Sequence, residues 1–386
     1  MLESIAANGR RPEENSEARG IIGTGGVEGN RRLCDTSGMK KTVALLFVLA
    51  AAASAFGQTF PSINELPTGA PALQPNATAT NFTFVVAGDN RPAHDGDPLT
   101  QPLLDIVQKL AANPPAFVVW NGDTVYGKQD VGIDQQYAQF LAALKPVPVP
   151  VFNAPGNHEM VVQTMIACGT AKDPYNGELP DFSGSMMASY QKSMSAPFGM
   201  FRYGNAAFLI INTDDVLDVT LSNACDYNGY VGKAQLAALQ STLDQLNGTV
   251  THVFCFMHRP IKDKGDSQIG APKGTTTPYA TQVQAFRHLL DQGKYSNMTF
   301  VFASHDHLLY VDPAQSNPNG PFTGNVPNKG APVFIVTGGA GAPLSGCKKS
   351  GTGKPGSYFH YLSVTVNGSS VTVNVVPLYG TTPCGT

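Results

Sequence analysis

An α/β fold is predicted for this chain of 386 residues. Three observations predict it. Short β-branched and aromatic runs alternate with stretches whose apolar residues recur at helical spacing. The succession strand–helix–strand–helix–strand between residues 82 and 152 is the pattern of crossover units in a sheet with parallel strands. Five of the strand-like runs end in turns that carry Asp, Asn, Tyr or His, the layout of a site built on rigid strand ends.

The N-terminal region divides into three parts. Residues 1–38 contain the charged run Arg10 to Arg19 and the loop-like Gly23 to Gly26, and are read as an upstream extension foreign to the protein. Met39-Lys40-Lys41 then opens a second beginning. It is followed by apolar residues 42–55, which close in Ala53-Ser54-Ala55. A positive start, a short apolar stretch and small residues before a cut make a signal peptide, assigned to 39–57. The stretch is shorter than the ~20 residues of a membrane span, so no stable span is expected and the protein is placed outside the cytoplasm, secreted or periplasmic. Residues 58–80, rich in Pro, Ala, Thr and Asn, read as a linker, and residues 81–380 as one catalytic domain.

Within that domain residues 82–87 form a buried strand that stops at Gly88-Asp89. Leu103, Val107, Leu110 and Ala111 mark a helix over 100–112, ended by Asn113-Pro114-Pro115. A strand over 116–120 runs into Asn121-Gly122-Asp123. Tyr137, Phe140, Leu141 and Leu144 mark a second helix, and the strand 149–152 follows, ending in Pro155-Gly156-Asn157-His158-Glu159. Residues 159–198 show no period and read as a long functional loop, a lid. Beyond them come a strand over 206–212, a helix marked by Leu236, Leu239, Leu243 and Leu246, and a strand over 251–257 that stops at His258. A polar loop over 262–281 precedes a helix marked by Val283, Phe286, Leu289 and Leu290. Strands over 299–303 and 333–337 follow, and Asn367-Gly368 joins the last two strands in a hairpin.

Composition narrows the function. Lys and Arg total 25, Asp and Glu 28, and the net charge of −3 offers no electrostatic reason to bind nucleic acid or an anionic membrane. With 40 glycines and 29 prolines, much of the chain is turn and loop. Cys255 lies in the apolar run 253–257 and is read as a buried free thiol. Cys168, Cys225, Cys347 and Cys384 lie in loop-like sequence and can form two disulfides in an oxidising compartment. The expected pairing is Cys168–Cys225 and Cys347–Cys384, although sequence does not choose among the three possible.

Five polar blocks stand at strand ends: Gly88-Asp89-Asn90-Arg91, Gly122-Asp123-Thr124-Val125-Tyr126, Gly156-Asn157-His158-Glu159, Met257-His258-Arg259-Pro260 and Ser304-His305-Asp306-His307. A dinuclear metal centre needs hard oxygen donors, imidazoles and one carboxylate able to reach both ions. Asp89, Asp123, Tyr126, Asn157, His258, His305 and His307 offer that set. Each block alone has an ordinary reading, a Gly-Asp turn or a solvent-facing His. Their recurrence in one context carries the metal reading. Gly338-Gly339-Ala340-Gly341 lacks the third glycine of a dinucleotide fingerprint, Gly351-Thr352-Gly353-Lys354 lacks the rest of a P-loop, and no Gly-x-Ser-x-Gly elbow occurs.

The five blocks resemble those of the calcineurin-like metallophosphoesterases, and Gly122 to Tyr126 is similar to the purple acid phosphatase version. The resemblance spans about residues 82–377 and implies a β-sandwich flanked by helices, with metals at the C-terminal ends of strands. It implies that Asp123 bridges two ions, that Asp89, Tyr126 and His307 complete a first site, and that Asn157, His258 and His305 complete a second. The ions would be iron with zinc, manganese or a second iron, holding a hydroxide for in-line attack. His158 would face the substrate. Arg91, where most of the family has a His, is read as a bidentate phosphate contact, and His94 as a reserve for the missing imidazole. The expected activity is hydrolysis of a small phosphate ester, a monoester in preference to a diester or nucleotide. A binding protein on the same scaffold is the reading from another class.

Overall fold

The computed structural model describes residues 58–127, 132–170, 173–216, 218–219, 227–263, 267–270, 277–314, 317–324, 330–347 and 353–384, with backbone alone for 162–180. Residues 1–57, with the foreign extension and the signal peptide expected there, lie outside the described residues, as does the pairing of Cys168 with Cys225.

Two six-stranded mixed sheets carry the fold. Chain order gives β1 (Asn81–Ala87), β2 (Val118–Trp120), β3 (Val151–Asn153), the ribbon β4 (Val161–Thr170) and β5 (Asp173–Pro180), β6 (Gly199–Tyr203), β7 (Ala206–Ile210), β8 (His252–Phe256), β9 (Met298–Ala303), β10 (Leu309–Asp312), β11 (Phe322–Thr323), β12 (Val333–Thr337), β13 (His360–Asn367) and β14 (Ser370–Pro377). One sheet is ordered β11-β14-β13-β1-β2-β3, the other β10-β12-β9-β8-β7-β6. The crossover units expected from sequence are present: β1, β2 and β3 pair in parallel, with Val85 opposite Val118 and Val118 opposite Val151. The strands β7, β8, β9 and β12 also pair in parallel.

Among the described residues the helices are α1 (Gln101–Ala112), α2 (Ile133–Leu144), the single turn α3 (Asn157–Met160), α4 (Ser185–Ser193), α5 (Lys233–Leu246) and α6 (Pro278–Asp291). Strand alternation sorts the side chains into layers. Phe84, Val86, Val119 and Phe152 of the first sheet meet Phe208, Phe254, Phe256 and Phe302 of the second in one core between the sheets. Phe84 stacks on Phe117 at 5.2 Å and turns its edge to Phe208 at 5.3 Å. The alternate residues Val85, Ala87, Val118 and Trp120 pack against Leu103, Ile106, Tyr137 and Phe140 of α1 and α2. On the far side Leu209, Cys255 and Val301 pack against Leu239, Leu243, Val283 and Phe286 of α5 and α6. The result is the α/β sandwich flanked by helices that the sequence leads one to expect. Because both faces of the central strands are covered, β7, β8 and β12 read as continuous apolar runs.

Three segments differ from the sequence reading. Residues 159–198, expected to be one loop, instead contain α3, the β4–β5 ribbon and α4. A two-stranded ribbon is held by its own backbone pairing and needs no apolar period to form. Residues 58–80, expected to be a linker, carry three buried anchors, Phe60, Ile63 and Leu66. Their backbone amides donate to Thr242 Oγ1, the Met200 carbonyl and the Val151 carbonyl. The short β10 and β11 give too few residues for a periodic signal.

Cys347 and Cys384 are joined in a disulfide, with Cα atoms 5.6 Å apart. Cys255 is a buried free thiol whose pKa burial pushes up to about 12. His252 is structural, its ring between Thr299 Oγ1 and the Gly368 carbonyl, each 2.9 Å away. Among the described residues no helix is long and apolar enough to cross a membrane.

His360, at the start of β13, is fully buried. Its Nδ1 donates to the Tyr358 carbonyl at 2.8 Å, and Thr337 Oγ1 donates to its Nε2 at 3.2 Å. Burial lowers its pKa from 6.5 to about 4, although the Tyr358 carbonyl works the other way. The neutral form is therefore the folded form. Stability from this group is full above pH 6.5 and is lost as pH falls toward 4, a decline of ~3 kcal/mol. Urea unfolding between pH 7 and pH 4 is expected to show that slope, and His360→Gln to flatten it; an unchanged slope in the variant would refute the assignment.

Candidate metal centre

The parallel strands of both sheets deliver their following turns to one place. Asp89 follows β1, Asp123 follows β2, Asn157 opens α3 after β3, His258 follows β8, and His305 and His307 follow β9. Asp89, Asp123 and His305 have left-handed backbone, with φ of 59°, 50° and 72°. That conformation costs ~1–3 kcal/mol in a residue with a Cβ and persists only when neighbours hold it. Here Asp89 N donates to the Gly122 carbonyl at 3.0 Å, Asn90 N and Arg91 N donate to the Asp123 carbonyl, and His305 N donates to Asp89 Oδ2 at 2.8 Å. Gly122, itself at φ 77°, lies so close to Gly156 that a side chain would run into the Gly156 backbone.

Glu159 ties the two central turns together. It is fully buried and accepts from Asp123 N (3.1 Å), Thr124 N (2.6 Å), Thr124 Oγ1 (2.6 Å) and Gly156 N (2.9 Å). Burial, with the nearby Asp123 charge, pushes its pKa up to about 7. The sequence reading quoted Glu159 in its block and gave it no role. Nothing in its spacing shows that it faces back toward the preceding turn.

Four donors converge on one point. His258 Nε2 lies 2.8 Å from Asn157 Oδ1, 3.2 Å from Asp123 Oδ1 and 3.1 Å from His305 Nδ1, and His305 Nδ1 lies 3.0 Å from Asn157 Oδ1. The other ring nitrogen of His258, Nδ1, donates to the Asn121 carbonyl at 2.8 Å. This contact fixes the tautomer and turns the Nε2 lone pair toward the two oxygens. Lone pairs gathered this closely suit a cation among them. His305 is held differently. Arg259 Nη1 donates to its Nε2 at 3.2 Å, so the neutral ring carries its hydrogen on Nδ1. The other tautomer, with the hydrogen on Nε2, frees Nδ1 as a fourth donor.

A second group lies beside the first. Asp89 Oδ1, without a hydrogen-bond partner among the described residues, is 3.6 Å from His307 Nε2 and 4.0 Å from His258 Nε2. His307 Nδ1 donates to the Pro343 carbonyl at 2.6 Å, leaving Nε2 as the free face. Asp123 Oδ2 points to Arg91 Nε at 3.4 Å and His158 Nε2 at 3.8 Å. Asp89, Asp123 and His258 alone form a buried cluster able to hold a metal ion. Burial, then the Asp123 charge, raises the Asp89 pKa, whereas burial of Asp123 is outweighed by His258, His158 and Arg91, which hold its pKa low. Burial, then Arg91, lowers the His307 pKa to about 4, and burial, then Arg259, lowers that of His305. Two buried carboxyl groups facing imidazole nitrogens match the chemistry of a divalent or trivalent cation site.

The structure thus brings together Asp89, Asp123, Asn157, His258, His305 and His307, with Arg91 and His158 at the rim. Tyr126 stands beside them, its ring 5.8 Å from the His158 ring and 6.0 Å from the Arg91 guanidinium carbon, and its carbonyl accepts from His158 Nδ1. His94 does not join the group. It is exposed and pairs with Asp97. Sequence reading also missed the buried support behind His305. Arg259 Nε donates to Asp214 Oδ1 at 2.9 Å, its Nη1 donates to Asn228 Oδ1 at 2.9 Å, and Tyr227 donates to Asp214. The one available signal was the adjacency of Arg259 to His258.

Replacing Glu159 by Ala removes the acceptor of four buried donors. The expected loss is ~3 kcal/mol of unfolding free energy together with weaker binding of Mn(II), measured by urea unfolding and by calorimetric titration. A variant as stable as the parent would show that the two turns hold without the clamp.

The family model described as calcineurin-like phosphoesterase matches residues 82–309. No curated protein matches the chain significantly. Among solved structures, purple acid phosphatase PPD1 from yellow lupin (Lupinus luteus) seeds is 17% identical with a TM-score of 0.51, over 79% of this chain and 52% of that one. This chain therefore spans about half the length of that relative. PhoD is 15% identical with a TM-score of 0.49, over 81% of this chain and 69% of that one. A dimetal phosphatase from Danio rerio is 15% identical with a TM-score of 0.48, over 77% and 96%. The family model covers more than half of the sequence and all five polar blocks up to His307, and on that ground the chain belongs to the calcineurin-like phosphoesterase family of metal-dependent phosphoester hydrolases.

Proposed function

We propose that the chain is an exported phosphomonoesterase that works with two metal ions, iron paired with zinc, manganese or a second iron. The observation that carries the reading is the split of Asp123, with Oδ1 in the group of Asn157, His258 and His305 and Oδ2 turned to Arg91 and His158 at the rim. Asp123 would bridge the ions. Asp89, His307 and Tyr126 would complete one site; Asn157, His258 and His305 the other. When bound, the ions supply Lewis-acid activation of water and of the phosphoryl oxygens.

The chain's own residues do the rest. Arg91, at the rim, can take two phosphoryl oxygens at once through its planar guanidinium. His158 keeps a hydrogen on Nδ1 against the Tyr126 carbonyl, so Nε2 is the atom that faces the substrate. Protonated there, it stabilises the phosphoryl oxygens and delivers a proton to the leaving group. The monoester preference rests on the purple acid phosphatase pattern that includes Tyr126. Export is supported by the signal-like residues 39–57 and by the Cys347–Cys384 disulfide, which suits an oxidising compartment.

An aryl phosphate monoester and the matching diester, offered to protein loaded in turn with iron, zinc and manganese, test the reading. Monoester turnover that a chelator abolishes is expected, and Asn157→Ala should lower it at least ~100-fold by weakening an ion site. Faster diester turnover would make the protein a phosphodiesterase, and activity undiminished in Asn157→Ala would place catalysis elsewhere. Tyr126 is tested by colour. A phenolate on ferric iron absorbs visible light, so the iron-loaded protein should be coloured and Tyr126→Phe bleached; a colourless, fully active iron protein would remove Tyr126 from the ligand set.

A further inference from the structure

Arg91 stands against the second carboxylate oxygen of Asp123. Its Nε is 3.4 Å from Asp123 Oδ2, and that nitrogen is buried without a hydrogen-bond partner among the described residues. Its Nη1 donates only weakly, at 3.3 Å, to the carbonyl of the next residue, Pro92. The backbone beneath it is pinned. Arg91 N donates to the Asp123 carbonyl at 2.9 Å, and Asn90 Nδ2 donates to the Thr124 carbonyl at 3.1 Å. Pro92 further narrows the conformations open to Arg91. Only the side chain can move, and it is 17% exposed.

The two halves of the centre are therefore unequal. The half made by Asp123 Oδ1, Asn157, His258 and His305 holds its donors 2.8–3.2 Å apart, and Arg259 behind it is neutralised by Asp214. On the side of Asp89 and His307 the nearest pair, Asp89 Oδ1 and His307 Nε2, is 3.6 Å apart, and the positive charge of Arg91 acts on both residues. A second ion bridged by Asp123 would meet that like charge and would share Asp123 Oδ2 with it.

We propose that Arg91 competes with the metal ion of the Asp89–His307 side, so that this ion binds weakly until a phosphate dianion draws the guanidinium away from Asp123. The proposal rests on the phosphoesterase reading and deepens it. Phosphate suits the exchange because a guanidinium forms paired, charge-assisted hydrogen bonds with it, in place of the 3.4 Å contact to Asp123 and the long hydrogen bond to Pro92. Coupling of this kind is reciprocal: phosphate tightens the ion, and the ion tightens phosphate.

Calorimetric titration of the metal-free protein with Mn(II), with and without inorganic phosphate, tests this. The parent is expected to take one ion tightly and a second weakly, and phosphate to tighten the second at least ~10-fold. Arg91→Gln keeps the stem and removes the charge. In this variant the weak ion should bind at least ~10-fold more tightly without phosphate, and phosphate should add much less. The tight ion, unchanged within about threefold, reports that the variant is folded. Spin coupling in the electron paramagnetic resonance spectrum shows when both ions are in place. Two ions of equal affinity in the parent, or the same phosphate effect in Arg91→Gln, would overturn the proposal and leave the phosphoesterase reading intact. A parent that binds no ion would overturn both.

Discussion

One buried carboxylate holds the centre in place. Glu159 accepts hydrogen bonds from Asp123 N, Thr124 N, Thr124 Oγ1 and Gly156 N, joining the turn after β2 to the turn after β3. Asp123 sits in left-handed backbone, and such a residue stays there only if its amide and its neighbours are held. Glu159 takes the amide, while the Asp123 carbonyl takes Asn90 N and Arg91 N from the turn after β1. Three strand ends of one sheet are thereby locked together around a single aspartate. The aspartate can then offer one oxygen to each side of the site.

Carbonyl oxygens do the orienting elsewhere. Asn121, Tyr126 and Pro343 each accept the Nδ1 hydrogen of a histidine, from His258, His158 and His307 respectively. Each contact turns Nε2 toward the carboxylates. His305 is the exception, gripped at Nε2 by Arg259, which Asp214 and Asn228 hold in turn. The Gly338-Gly339-Ala340-Gly341 stretch, which binds no dinucleotide by its pattern, serves here as packing. Ala340 N and Ala342 N donate to the Gly88 and Asp89 carbonyls, and the stretch leads to Pro343.

Charge separates the two halves of the centre. Asp214 balances Arg259 behind His305, while Arg91 faces the open side of Asp123 with no carboxylate of its own. In a family whose first block usually supplies an imidazole at this position, an arginine turns a ligand into a cation. If Arg91 competes with an ion as proposed, the Asp89–His307 side is where an anionic ligand would act.

The sequence by itself determined the class of fold and most of the candidate donors. Central strands buried on both faces are continuous apolar runs, helices between them show a 3.6-residue period, and chemistry-bearing residues cluster at the turns that end the runs. These are local patterns, visible without contacts. Tertiary structure decided what depends on distance and direction. The 159–198 segment holds a ribbon and a helix unseen in the sequence because backbone pairing leaves no apolar signature, and Phe60, Ile63 and Leu66 are buried because each meets a different apolar cluster of the fold. Glu159, Asp214, Asn228 and the orienting carbonyls stayed hidden in the sequence, since a hydrogen bond across 35 or 45 positions leaves no mark in either partner's neighbours. Which atom of Asp123 faces Arg91 and which faces His258 is likewise a matter of three-dimensional placement.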